Sequence, residues 1–188
     1  VCSGYYKKPE ITANSFIDGW FRTGDAGKLV DGKHLYMTDR LKDLFKTSNG
    51  KYIAPQQIET ILGGDVFIEQ VAVIGNNRNF VTAIIAPNIE AIKGYAEQNG
   101  IKYEYVDELM DNPQICKMME ERIAELQKDM APYEKIKKFR MIKRGFTIES
   151  GELTSTLKLR RAVILQNYAA MIEEMYNPVQ GPLGGYAK

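Results

Sequence analysis

The sequence predicts an α+β fold. Three observations carry that expectation. Asp31-Gly32 stands between two apolar-rich runs, a second pair of β-rich runs flanks a polar turn at residues 75–79, and capped helical segments follow without regular strand–helix alternation. Regular alternation would signal a parallel sheet. Its absence points to a short, mostly antiparallel sheet flanked by helices.

Each element has a local reason. From Ala26 to Arg40 a hairpin is expected, with Gly27-Lys28-Leu29-Val30 and His34-Leu35-Tyr36-Met37-Thr38 as its arms. Leu44-Phe45-Lys46-Thr47 reads as a short strand and Ser48-Asn49-Gly50 as a turn. Pro55 suits the first position of a helix reaching about Leu62. Phe67 to Ile74 and Phe80 to Ala86 form the second hairpin, turning at Gly75-Asn76-Asn77-Arg78-Asn79. Asn88 can cap a helix that Gly100 ends. Asn112-Pro113 opens the clearest helix, with Ile115, Met118, Met119, Ile123, Leu126 and Met130 on one face and Lys, Glu and Arg opposite. A third strand is expected over Phe139 to Phe146, after Lys137-Lys138, and a last helix over roughly Leu159 to Tyr176. The glycine- and proline-bearing stretch 177–188 reads as a flexible tail.

Bulk properties narrow the function classes. With 44% hydrophobic and 26% charged residues in 188, the chain can bury the core of one ordinary domain plus a flanking piece. A net charge of +1, with Lys and Arg spread along the chain, does not suggest a nucleic-acid surface. Cys2 and Cys116 are far apart and lack metal-ligand spacing, so no metal site is expected and a reduced, cytoplasmic protein is the simplest reading. No apolar run has membrane-spanning length, and no signal peptide is visible. Val1 rather than Met at the start suggests processing or a piece of a longer protein.

The chemistry-bearing residues fall into four blocks. Gly19-Trp20-Phe21-Arg22-Thr23-Gly24-Asp25 places an acceptor-only carboxylate after a glycine, suited to two neighbouring hydroxyls such as those of a ribose. Asp39-Arg40-Leu41-Lys42-Asp43 follows, and Arg40 offers a planar fork of donors. Next come Ser48-Asn49-Gly50-Lys51-Tyr52, where glycine permits close backbone approach, and Pro55-Gln56-Gln57-Ile58-Glu59. The fourth block is Leu153-Thr154-Ser155-Thr156-Leu157-Lys158. An ammonium on a long stem suits a reaction that brings a carboxylate against a phosphate, because it offsets charge that builds in the transition state. His34, the one histidine, lies in the hairpin and reads as a surface-turn residue, and the methionine-rich helix face reads as core packing.

In this order and spacing the four blocks resemble the C-terminal portion of an AMP-forming acyl-CoA synthetase, most like the long-chain fatty-acid–CoA ligases. The resemblance covers Gly4 to about Tyr176. It implies an organisation: residues 1–41 a hairpin strip of a large adenylate-forming domain, 42–176 a small mobile lid domain, 177–188 a tail. It also implies roles. Asp25 and Arg40 would hold the ribose of ATP or AMP, Lys42 would be the hinge, and Ser48, Asn49, Gly50, Lys51 and Tyr52 would form the loop approaching CoA. Lys158 would catalyse adenylation. The implied small molecules are ATP, CoA and a fatty acid, with Mg2+ accompanying ATP. Peripheral membrane association of the parent is compatible with this reading. The strip and lid without the phosphate loop and acyl pocket are expected to be inactive alone. Three positions depart from the family pattern: Gln57 stands for a common Glu, Ser155 for a proline frequent in the long-chain group, and Leu157 for the glycine of many other members. An adenylation enzyme loading a carrier-protein thiol, or a non-catalytic lid-like binding module, would be the alternatives.

Overall fold

The computed structural model describes residues 2–40 and 43–177, and the side chains of these except at 38–40. Its contacts divide into two compact units, Val1–Leu44 and Phe45–Lys188.

The first unit opens with helix α1 (Pro9–Ser15), which has proline at its start and which the sequence reading missed. The Tyr5 amide donates to Thr12 Oγ1 at 2.9 Å and ties the opening segment to the helix. A two-stranded ladder of β1 (Phe16–Ile17) and β2 (Trp20–Phe21) follows. It closes on Asp18 and Gly19, both at positive φ (50° and 80°), a second Asp-Gly hairpin turn that the sequence also carried. Strands β3 (Asp25–Val30) and β4 (His34–Arg40) form the expected hairpin, with Asp31 and Gly32 at φ 53° and 65°. None of the described side chains of residues 2–37 is buried, and Trp20, Leu29, Leu35 and Met37 are all well exposed.

The second unit starts with β5 (Phe45–Lys46) paired to β6 (Tyr52–Ile53), then α2 (Pro55–Leu62). Its main sheet has the order β7 (Ile68–Ile74), β8 (Val81–Pro87), β9 (Ile136–Met141). The expected mostly antiparallel pairing holds for β7–β8, while β8–β9 is parallel. Parallel pairing needs a long crossover. Helix α3 (Ile89–Gln98), a 3-10 turn (Val106–Met110) and helix α4 (Pro113–Leu126) supply it. Asn88 and Asn112 cap α3 and α4, each side chain accepting from backbone amides of the first turn.

The central strand β8 is buried along its whole length. Its side chains alternate between two layers, as a strand's period of two requires. Val81, Ala83 and Ile85 face one core with Ile58 and Leu62 of α2, Ile92 of α3 and Ile115, Met119 and Ile123 of α4. Ile84 and Ala86 face the other, with Phe146, Leu153, Ile164 of α5 (Arg161–Asn167), and Ile172 and Met175 of α6 (Ala169–Tyr176). The unit is therefore a sheet between two helical layers.

Three expectations are corrected. The third strand covers Ile136–Met141 rather than Phe139 to Phe146, so Lys137 and Lys138 lie inside it. An edge strand accommodates such residues, and Lys138 Nζ donates to the Met175 carbonyl at 2.7 Å. The last helix starts at Arg161, not Leu159, because Leu159 bridges Leu153, and it is broken at Tyr168. Met130 lies beyond the end of α4, although it still packs against the core. Most of the expected tail, 178–188, lies outside the described residues.

Candidate functional site

In the first unit the backbone register brings two candidate residues together. From Val30↔His34 to Gly27↔Met37 the hairpin pairs regularly, and then a bulge shifts the register by one residue. Asp25 therefore stands opposite Arg40, and Ala26 opposite Asp39. Without the shift Asp25 would face Asp39, placing like charges directly across the ladder, which is unfavourable. Bulges commonly re-aim residues in this way. Asp25 is half-buried, follows Gly24 at φ 78°, and its amide donates to Thr23 Oγ1 at 3.1 Å. Lys42, the expected hinge, lies outside the described residues.

In the second unit two loops share one geometry. In Thr47-Ser48-Asn49-Gly50-Lys51 the Gly50 amide donates to the Thr47 carbonyl (2.9 Å), the Thr47 amide to the Lys51 carbonyl (2.9 Å), and the Lys51 amide to Thr47 Oγ1 (3.2 Å). In Thr154-Ser155-Thr156-Leu157-Lys158 the Leu157 amide donates to the Thr154 carbonyl (2.9 Å), the Thr154 amide to the Lys158 carbonyl (2.8 Å), and the Lys158 amide to Thr154 Oγ1 (3.0 Å). Both are three-residue hairpin loops in which a tight turn is followed by a left-handed residue. That residue is Gly50 at φ 80° in one and Leu157 at φ 59° in the other. Lys158 thus sits at the foot of a hairpin and not in the first turn of a helix.

The departures noted in the sequence acquire a physical meaning here. Ser155 occupies the second turn position, which favours proline because its φ is already set. Ser155→Pro is expected to stabilise the chain by about 0.4–1 kcal/mol through the unfolded state. A thermal melt reads this as a rise in midpoint, and a fall would contradict the turn assignment. Leu157 stands at the position that glycine fills without strain.

The Lys158 loop is anchored on both sides. Before it, the Glu152 carboxylate is fully buried and accepts from Arg144 at 2.8 and 2.9 Å, from Ser150 Oγ at 2.7 Å and from Asn167 Nδ2 at 3.0 Å. Burial pushes this carboxyl up, but the hydrogen bonds from Arg144, Ser150 and Asn167 outweigh it and hold it at about 2. After the loop, Arg161 donates to both Glu59 oxygens at 2.7 and 3.1 Å and to the Val73 carbonyl at 2.7 Å. Glu59 also accepts from the Val73 amide at 2.8 Å, so α2, β7 and α5 meet at one node. Arg161 is therefore a paired structural residue. Lys158 is exposed, and among the described residues its ammonium carries no ion pair. Sequence reasoning missed Glu152 and Arg161 as positioning residues. Apart from Ser150, their side-chain partners lie eight residues or more away in the chain, leaving little local signal.

The Gly50 loop is held from a third direction. Ser48 Oγ donates to Asn79 Oδ1 at 2.8 Å and Asn49 Nδ2 to the Asn79 carbonyl at 3.2 Å. Lys46 lies over the Tyr52 ring and Lys51 over the Tyr133 ring, at 5.5 and 5.4 Å. Cys116 is half-buried, and burial raises its thiol above the ordinary range, as in an inert core cysteine.

A sheet between helical layers, carrying an anchored lysine hairpin and a glycine hairpin of the same form, defines a small α+β domain with two exposed loops of one geometry. The profile of the AMP-binding enzyme C-terminal domain matches residues 42–180, and the chain belongs to that family. It is 33% identical over 178 residues to the long-chain-fatty-acid–CoA ligase FadD15 of Mycobacterium tuberculosis, covering 94% of this chain and 30% of that protein. It is 37% identical over 184 residues to long chain acyl-CoA synthetase 4 of Arabidopsis thaliana, covering 94% and 27%. Among solved structures, the adenylation domain of a Mycobacterium chelonae carboxylate reductase is similar with a TM-score of 0.73 and 28% identity over 92% of this chain and 26% of that one. The A domain of a Segniliparus rugosus carboxylic acid reductase, in complex with AMP and a co-purified carboxylic acid, gives a TM-score of 0.69 at 28% identity, covering 92% and 26%. The chain thus spans about 30% or less of the length of these relatives.

Proposed function

We propose that this chain is the C-terminal portion of a long-chain fatty-acid–CoA ligase. Alignment of 93–97% of the chain with proteins named as such ligases or as long-chain acyl-CoA synthetases is the observation that carries the reading. In the first step a fatty-acid carboxylate oxygen bonds to the α-phosphorus of ATP, entering with its Mg2+, and pyrophosphate leaves. In the second the CoA sulfur bonds to the acyl carbon and AMP leaves. Asp25 accepts from the ribose hydroxyls and Arg40 donates to the same sugar. Lys158 offsets the charge that gathers as carboxylate meets phosphate. The Gly50 loop, with Ser48, Asn49, Lys51 and Tyr52, lets the pantetheine arm pass close to backbone. Lys42 takes up the rotation between the two steps. The exposed Trp20, Leu29, Leu35 and Met37 of the first unit support the view that residues 1–41 belong to a larger domain.

The likeness to carboxylate reductase adenylation domains, one of them solved with its carrier domain, supports a second reading in which a carrier-protein thiol replaces CoA. Lys158 and Asp25 would serve both. Exchange of labelled pyrophosphate into ATP tests the first step: the longer protein carrying this segment is expected to exchange only with a long-chain fatty acid present, and these 188 residues alone are expected not to exchange. Turnover by the isolated chain would contradict the proposal, and thioester formation on a carrier protein but not on CoA would favour the second reading.

A further inference from the structure

We propose that Leu157 shields the acyl–phosphate bond of the bound adenylate from water while Lys158 is engaged. This rests on the reading of Lys158 given above. Leu157 is held at φ 59°, in the left-handed region that is strained for a non-glycine residue. The Gly50 loop shows that the same turn, with the same three hydrogen bonds, forms with glycine at that position. Leucine is therefore not needed to make the turn. Nor does packing inside the chain offset the strain, since Leu157 is 70% exposed. Strain of this kind persists at functional sites, where the side chain acts in a state other than the resting one.

The neighbouring residue says what that action is. Lys158 addresses the carboxylate and phosphate of the substrate, and the turn that delivers it carries an exposed apolar side chain one residue away. An acyl-adenylate is a mixed anhydride. Water can bond to its acyl carbon, breaking the bond to the phosphate oxygen and releasing free acid and AMP, so that ATP is consumed without a thioester. An exposed leucine delivered together with the lysine excludes that water. Glycine at this position leaves the carbonyl open. The Gly50 loop, which serves the thiol, needs the opposite property, an open approach for the entering sulfur.

The test uses the full-length enzyme carrying this segment. Leu157→Gly is expected to melt no lower than the parent, because the strain is relieved. It should release AMP without thioester about 10-fold more often per adenylate formed, on the scale of a lost apolar contact. Leu157→Met should restore tight coupling. An unchanged ratio of AMP to thioester in Leu157→Gly overturns the role of Leu157. So does a lower melting temperature for that variant, which would place the leucine's contribution in packing. Lys158→Ala, assayed alongside, separates the two claims: normal adenylation by it overturns the Lys158 reading instead.

Discussion

Replacing Glu152 by glutamine is expected to remove about 3 kcal/mol of stability at neutral pH and to flatten the acid limb of the chain's stability curve. The carboxylate is fully buried, and its partners Arg144, Ser150 and Asn167 hold its pKa at about 2. An unfolded glutamate titrates near roughly 4.3, and each unit of difference is worth about 1.4 kcal/mol. A pKa depressed in the folded state contributes stability that is present above the unfolded value and is lost as pH falls through the folded one. In the wild-type chain the loss should therefore fall between roughly pH 4.3 and about 2. Glu152→Gln keeps the shape of the side chain but not the charge, so it starts lower and loses little over that window. Urea titrations at a series of pH values read both effects. Parallel curves for the two proteins would show that the carboxylate is protonated or water-screened in the folded state.

The cost is less than for a pair buried on both sides. Arg144 is 52% exposed, so removal of its partner leaves a cation that water can reach. The consequence for function is local. Glu152 stands two residues before Thr154, and its backbone carbonyl also accepts from the Arg160 amide at 2.7 Å. Losing the carboxylate's contacts loosens the foot of the hairpin that precedes Lys158, while the backbone bond from Arg160 can remain.

How much of this was legible depends on how far the cause lies along the chain. The hairpin at Asp31-Gly32 and the face of α4 from Ile115 to Ile123 follow from residues within a few positions of one another, and the structure shows both. Asp18-Gly19 carried the same signal, but its flanking strands have only two residues each and gave no alternation to read. The parallel pairing of β9 to β8 joins strands separated by the whole α3–α4 crossover, and no local pattern reports it. The strand starts earlier than expected because Lys137 and Lys138 are accommodated in β9 at the sheet edge. The bulge that sets Asp25 opposite Arg40 is a single extra residue, invisible to composition. The likeness of the Gly50 and Leu157 turns was hidden because one carries glycine and the other does not. The four motif blocks were legible as patterns of residue types, while the contacts of Glu152 and Arg161 on either side of the last were not.

The second large effect concerns Lys158. As a carboxylate closes on the α-phosphate, two anions are forced together, and charge accumulates on the phosphate oxygens. An ammonium held at that point stabilises the transition state more than the separated reactants. The loop geometry suits such delivery: Lys158 is exposed, its amide donates to Thr154 Oγ1 and its carbonyl accepts from the Thr154 amide, and Glu152 and Arg161 anchor the chain on either side. Removing one preorganised donor of this kind costs about 10²–10³-fold in rate, roughly 2.7–4 kcal/mol. Lys158→Arg is not expected to rescue it fully, because a planar fork does not reproduce a compact point charge.

The most direct measurement is of the two half-reactions, made separately on Lys158→Ala in the full-length enzyme carrying this segment. Adenylation, followed by fatty-acid-dependent exchange of pyrophosphate into ATP, should fall about 10²–10³-fold. Thioester formation from supplied acyl-adenylate and CoA should proceed at close to the parent rate, because under the proposed function that step is assigned to the Gly50 loop. Equal loss in both half-reactions, or undiminished exchange, would contradict the account.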